Sequence, residues 1–468
     1  MQERRRTLHT QIMNAIETLY ADRVAEQVDQ LAHHALRGEV WEKAFSYCRQ
    51  AGAKAALRSA HRGAVAYWEQ ALVALQHLPA THDALAQAID VRFDLRNALW
   101  PLGEHKQIFE YLSQAEALAE TLADQRRLGI LSSFMTQHFR LIGDPARAIA
   151  SGQRALAIAT TLGDFPLQVE TNFRLGRTYD SFGDYQQAAV FFRRNVVALE
   201  GDLLFEHFDL PGSLAVLSRA WLALCLAELG EFSEGITRGE EAVRMAQAID
   251  HPYSLVSAYC GIGGLYLCKG DLSRAISALE RSLGLCQTWD FPVLFPITAT
   301  HLGYAYALSG RYTDALTLLE QAVTQAAATE PLSYYVLFLV RLGETYLMAG
   351  QAAKARECTE RALVTSHSSK VRGGPQAWAL RLRGELAVQH EFAESHKAET
   401  SYRQALALAE ELGMRPLMAH CHLGLGLLYN RRGDRAQAQA EWSMATAQLQ
   451  ALEMPFWISR TMLPVQML

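Results

Sequence analysis

The feature that most constrains this 468-residue chain is a turn glycine that returns about every 40 residues. Turn glycines stand at Gly103, Gly143 and Gly183, then at Gly230, Gly270, Gly310 and Gly350, and finally at Gly433. Gly183 to Gly230 spans 47 residues, which marks an insertion. Gly350 to Gly433 spans 83, room for two units with the middle turn near His390. An earlier turn without glycine is read near Ser59. The stretch 301–323, HLGYAYALSGRYTDALTLLEQAV, shows one unit whole. Leu302, Gly303 and Tyr306 share one side of a first helix, and Ala315, Leu319 and Ala322 share one side of a second. Such a hairpin cannot bury its apolar face alone, so it needs stacked copies of itself.

The positions around the turns agree with one another. Seven residues before them stand Gly52, Gly176, Gly263, Gly303, Gly343 and Gly426, and four before them stand Phe139, Tyr179, Tyr266, Tyr306, Tyr346 and Tyr429. Alanines recur five and twelve residues after, for example Ala188, Ala275 and Ala315, then Ala242, Ala322 and Ala362. A glycine one turn before an aromatic, with alanines facing both, is the chemistry of helix packed on helix. Unit boundaries carry TLGDFP at 161–166, AIDHP at 248–252, TWDFP at 288–292 and ATEP at 328–331, where an acid and a proline end one helix and begin the next.

The order Leu-Gly-x-x-Tyr, Gly, Ala, aromatic or Leu, Ala resembles the tetratricopeptide repeat, here in a unit longer than the usual 34 residues. The resemblance covers about residues 45–455 and implies an all-α fold, a right-handed superhelical α-solenoid of about nine to ten units. Residues 19–72, LYADRVAEQVDQLAHHALRGEVWEKAFSYCRQ onward, are similar to the segment after the ATPase module in bacterial nucleotide-cyclase/AAA-type ATPase/TPR signalling proteins. The chain resembles only the C-terminal arm of that family, as a fragment or a stand-alone reading frame. On this reading residues 1–44 form a helical arm toward an upstream module, and 456–468 form a cap.

Composition narrows the function. Half the residues are apolar and a fifth are charged, so the whole chain is expected to fold. A net charge of −5 gives no electrostatic case for a nucleic-acid binder. Seven scattered cysteines without a CxxC pair read as reduced thiols packed between helices, and with no secretory or membrane-spanning run the expected location is cytoplasmic. Arg4, Arg5 and Arg6 read as a solvated first turn, as a cut end that once continued into another domain, or as a contact for an acidic partner.

No phosphate loop, HExxH, GxSxG or EF-hand pattern occurs, so no enzyme, cofactor or metal is expected. The run GIGG at 261–264 sits at the repeat's own glycine positions and reads as packing. His420, Cys421 and His422 alternate around a helix and complete no ligand set, and the pair His33 and His34 fails likewise. What remains is surface. In the repeat family the first helix of each hairpin lines a concave groove, which places Arg177, Asp180, Glu228, Tyr304, Leu308, Glu344, Met348, Asn430 and Arg431 on it. The expected groove has charged ends and an apolar centre around Tyr304, Leu308, Leu347 and Met348, a shape suited to a peptide, helix or protein partner. An ATPase or cyclase module is an alternative partner and a small ligand an alternative occupant. Tight coiling that buries these side chains against neighbouring repeats is the structural alternative. The insertion at 200–213 reads as a docking loop or as aromatics folded back over the seam between repeats, and 367–376 as a connection.

Overall fold

The computed structural model describes residues 2–58, 60–201, 203, 208, 211–329, 332–368, 373–389 and 395–459. The turns expected near Ser59 and His390 lie outside the described residues. Everything regular in them is helical. The first helices are α1 (Gln2–Leu19), α2 (Val28–Gly38), α3 (Trp41–Leu57), α4 (His61–Gln76), α5 (His82–Leu99) and α6 (His105–Thr121). Then come α7 (Gln125–Leu141), α8 (Pro145–Leu162), α9 (Phe165–Ser181), α10 (Tyr185–Ala198), α11 (Leu214–Leu229) and α12 (Phe232–Ile249). The middle of the chain gives α13 (Pro252–Lys269), α14 (Leu272–Thr288), α15 (Phe295–Leu308), α16 (Tyr312–Thr329) and α17 (Leu332–Met348). The last are α18 (Ala352–Ser368), α19 (Gly374–Gln389), α20 (Ser395–Glu411), α21 (Arg415–Arg431) and α22 (Arg435–Ala451). Helices pair as antiparallel hairpins that stack, so the fold is an all-α solenoid. The chain divides into two compact units, residues 1–138 with 154–164, and residues 139–153 with 165–468.

The repeated residues explain the hairpins. A methyl group added at Gly303 would sit 2.8 Å from Leu319, one at Gly263 2.6 Å from Leu279, and one at Gly176 2.7 Å from Phe192. The same approach recurs at Gly426 against Trp442 and at Gly52 against Trp68. In each case the glycine admits a large side chain sixteen residues later on the partner helix. At several turns the dipeptide Gly-Asp does two jobs. Glycine takes the left-handed conformation that ends the first helix, and the aspartate side chain accepts the amide of the second, as Asp184 does from Gln187 at 3.0 Å. On the outer side a tyrosine reaches back to the preceding hairpin. Tyr266 donates to Glu240 at 3.2 Å, Tyr306 to Glu280 at 2.7 Å and Tyr346 to Glu320 at 2.5 Å. Arg274, Arg311 and Lys354 cover those three rings in turn.

Within the second unit the stack comes back on itself. Arg415, at the start of α21, donates to the carbonyls of Leu229 and Gly230 at the end of α11, both at 2.9 Å. A cation there satisfies carbonyls that the helix leaves open and meets its negative end. Trp457 donates to Cys268 O at 3.1 Å, and Lys269 pairs with Glu453 at 3.3 Å. In the insertion at 200–213, Leu203 and Phe208 fold onto the core and Phe208 stands edge-on to Phe165; Leu204 and Phe205 lie outside the described residues.

Two turn glycines separate conformational strain from crowding. Gly310 has φ +82° and open space around a would-be methyl group, whereas at Gly183 (φ +81°) that group would fall 2.1 Å from the Gly374 amide. Gly310→Ala should cost about 1 kcal/mol, from backbone strain alone. Gly183→Ala should cost about 3 kcal/mol or more, because backbone cannot step aside as a side chain can. Urea unfolding midpoints of the two variants measure the difference.

Candidate functional site

The first helices of successive hairpins in the second unit turn one face inward, and these faces converge on a cavity of about 90 Å³. α9 brings Asp180 and Ser181, α11 brings Trp221, Leu224, Ala227 and Glu228, and α13 brings Gly264, Leu267 and Cys268. α15 adds Ile297, His301 and Tyr304, and α17 adds Tyr334, Leu337 and Arg341. Tyr185 at the start of α10, Pro375, Trp378 and Arg381 of α19, His420 of α21 and Trp457 complete the wall. Spacings of three and four residues within each helix hold these groups on one face.

The lining is aromatic and charged. Asp180, 6% exposed, accepts the hydroxyl of Tyr334 and, at 3.5 Å, the thiol of Cys225. Glu228 accepts the indole N–H of Trp378 at 3.0 Å. Burial pushes both carboxyls above the ordinary carboxylate range; Arg177 beside Asp180, and Arg341 beside Glu228, offset only part of this. Arg177 stacks 3.1 Å over the Trp221 ring, and its buried Nε has no hydrogen-bond partner among the described residues. Arg341 lies between Tyr304 and Trp378, 4.5 and 4.4 Å from the ring centres. Glu344, 3% exposed, binds Arg341 at 2.8 Å and also Arg381, which reaches Glu385 at 2.5 Å. Burial, then the charge of Arg341, pushes His301 down to about 4, so its imidazole is neutral at pH 7.

The residues expected on the groove separate into groups. Asp180, Glu228 and Tyr304 line the cavity, Arg177 stacks on Trp221 of its wall, and Glu344 ties two of its arginines. Leu308 is buried in a hydrophobic cluster and Met348 packs against it, so the expected apolar centre is replaced by charged and aromatic groups. The polar groups gather at the middle because Arg341 lies one helical turn before Glu344, and Arg381 comes from a hairpin in which no groove position is read from the sequence. Asn430 is half-buried and Arg431 is exposed, bonded to Val388 O; neither lines the cavity. His301, Arg341, Trp221 and Leu337 were legible by stepping three or seven residues back from the expected groove positions along the same face. Trp457 carried no such signal.

Of the other candidates, Gly264 and His420 belong to the cavity wall and the rest resolve as packing. Gly261 and Gly263 face Ala220 and Leu279 inside α13. Cys421 is buried in the core, His422 pairs with Glu441 at 2.6 Å, and His420 stands edge-on to Trp457 at 4.5 Å. In the first unit His34 and His9 approach to 2.9 Å with His33 alongside. Among the described residues no group of three or more His, Cys, Asp or Glu is placed to hold a metal ion, and no helix is long and apolar enough to cross a membrane.

Residues 213–288 match the family profile described as Tetratricopeptide repeat. No curated protein sequence matches the chain. Among solved structures the chain is similar to a Rap protein complexed with competence and sporulation factor, at 12% identity and TM-score 0.58, over 80% of this chain and 99% of that one. It is also similar to the Rap conjugation gene regulator of plasmid pLS20 in complex with the Phr* peptide, at 13% identity and TM-score 0.50, over 79% and 96%. A third likeness is to a STAND protein with a tetratricopeptide repeat sensor from Pyrococcus horikoshii, at 16% identity and TM-score 0.44, over 81% and 54%. At these identities the two Rap likenesses establish the fold.

Two predictions follow from the charges. Glu344→Ala leaves two buried guanidiniums short of a partner and should lower stability by about 3–5 kcal/mol, read from denaturant unfolding. Asp180→Asn plus Glu228→Gln should act the other way at neutral pH. Carboxyls raised on folding favour the folded state only while protonated, so their contribution falls as pH rises from about 4, the unfolded value, through the raised one. The doubly substituted chain should therefore gain stability over the unsubstituted one between pH 4 and 8, as melting curves at each pH will report.

Proposed function

We propose that this chain is a non-enzymatic recognition arm, an interaction scaffold whose cavity in the second unit receives a short peptide or a segment of a partner protein. The observation that carries this reading is the convergence of Asp180, Glu228, Tyr304, Arg341 and Trp378, from five separate hairpins, on one aromatic and charged cavity. Buried charges cost stability unless something uses them, and helix-packing needs alone call for none of these five. Two proteins of the same fold were solved with competence and sporulation factor and with the Phr* peptide, which makes a peptide the natural first occupant to test. The likeness of residues 19–72 to bacterial cyclase–ATPase proteins supports a cytoplasmic place in bacterial signal transduction, with an ATPase or cyclase module as the unit controlled. In this scheme residues 1–44 connect to that module and 456–468 cap the repeats.

A second reading is a small-ligand sensor. The cavity of about 90 Å³ is bounded by contacts between hairpins distant in sequence, such as Tyr334 with Asp180 and Trp378 with Glu228. A ligand that fits only one arrangement of these contacts shifts the population of that arrangement.

Selection of short random peptides on the purified chain tests the first reading. Enriched peptides should bind the unsubstituted chain at least tenfold more tightly than Tyr304→Ala plus Arg341→Ala, with helix content unchanged. Equal binding by the folded variant would sink the assignment of the cavity.

A further inference from the structure

The cavity contains an imbalance of partners. Its two lining arginines are committed: Arg341 to Glu344, and Arg381 to Glu344 and Glu385. Arg177 is laid flat on Trp221. Asp180 and Glu228, in contrast, make no ion pair within 4.0 Å among the described residues. What they receive is neutral, a phenol and a thiol on Asp180 and an indole N–H on Glu228. A carboxylate accepts through two oxygens with about four lone-pair sites, so each keeps capacity that the protein leaves unused. An anion placed here would meet the buried carboxyl of Asp180 and the half-buried one of Glu228, and the described residues supply too few ligands for a metal ion.

We infer that the cavity takes an organic cation bearing a primary ammonium, seated between Asp180 and Glu228 against the rings of Tyr334 and Trp378. This rests on the cavity being the binding site. Three N–H donors of an ammonium match two carboxylates, and the aromatic walls favour a cation that has shed its water. At about 30 Å³ per water, the volume of about 90 Å³ has room for about three water-sized groups, enough for the charged amine end of a small diamine or of a peptide. The shared chemistry is the charged amine; its source is either a free small amine or the amino terminus of a peptide.

Calorimetry and thermal melting of the full chain with four probes decide it: 1,4-diaminobutane, triglycine, N-acetyltriglycine and succinate. Binding and a raised Tm are expected with one or both of the first two and with neither of the last two. Triglycine above the diamine identifies a peptide terminus, and the reverse order identifies a free amine. Asp180→Asn plus Glu228→Gln should weaken the amine at least tenfold. Glu228→Gln alone keeps the bond from Trp378 and serves as a second folded variant. Absence of any amine effect, equal binding of acetylated and free triglycine, or undiminished binding by either variant overturns the inference. If peptides selected on the chain still depend on Tyr304 and Arg341 but tolerate N-acetylation, the ammonium assignment falls while the cavity stands.

Discussion

The close approach of two helices at a glycine is the constraint on which the rest of this structure depends. Gly176, Gly263, Gly303 and Gly426 each lie under a large side chain of the partner helix, Phe192, Leu279, Leu319 or Trp442, with no room for a methyl group between them. That contact fixes the depth and angle of the hairpin, and repeating it fixes the stack. α13 and α15 are then buried nearly all round, and residues that would be solvent-facing on an isolated hairpin are carried into the interior. Asp180, Glu228 and Arg341 are inside because of where the glycines put their helices.

Those charges cannot be explained by packing. A pair of large apolar side chains would fill the same space without the desolvation cost of several kcal/mol per ion. The protein limits that cost in two ways. It neutralises the arginines with Glu344 and spreads them on aromatic rings, and it gives the acids neutral donors in place of cations. The arginines are thereby held firmly while the acids remain incompletely satisfied. Rigidity on one wall and unused capacity on the other is the arrangement on which the proposed binding site rests.

Much of this was legible in the sequence. The period of glycine, aromatic and alanine gave the hairpins, their pairing and their stacking, because that code is local: the contacts of Gly176, Gly263, Gly303 and Gly426 span sixteen residues, and the tyrosine bonds span 26 to the preceding hairpin. The inward position of Asp180, Glu228 and Tyr304 followed from the same register. Leu308 and Met348 stand in a hydrophobic cluster and outside the cavity lining, a placement that a single-helix register does not encode. Arg381 and Trp378 were hidden for a different reason. Their unit lacks a glycine to mark its turn. Trp457 reaches Cys268 across 189 residues, and nothing near it in the chain announces where it goes.

The bonds from Arg415 to the end of α11 change what kind of object the second unit is. A solenoid whose repeats touch only their neighbours behaves as a one-dimensional chain that frays from its ends and folds outward from any point. Here residues 185 and 186 positions apart are joined, so the two ends of that segment support each other. The unit gains a long loop-closure step late in folding, and the cavity does not exist until that step is complete. A ribosome-bound chain that has emerged only through α18 therefore carries Asp180 and Glu228 on an unfinished wall, and the wall closes when α21 and Trp457 arrive.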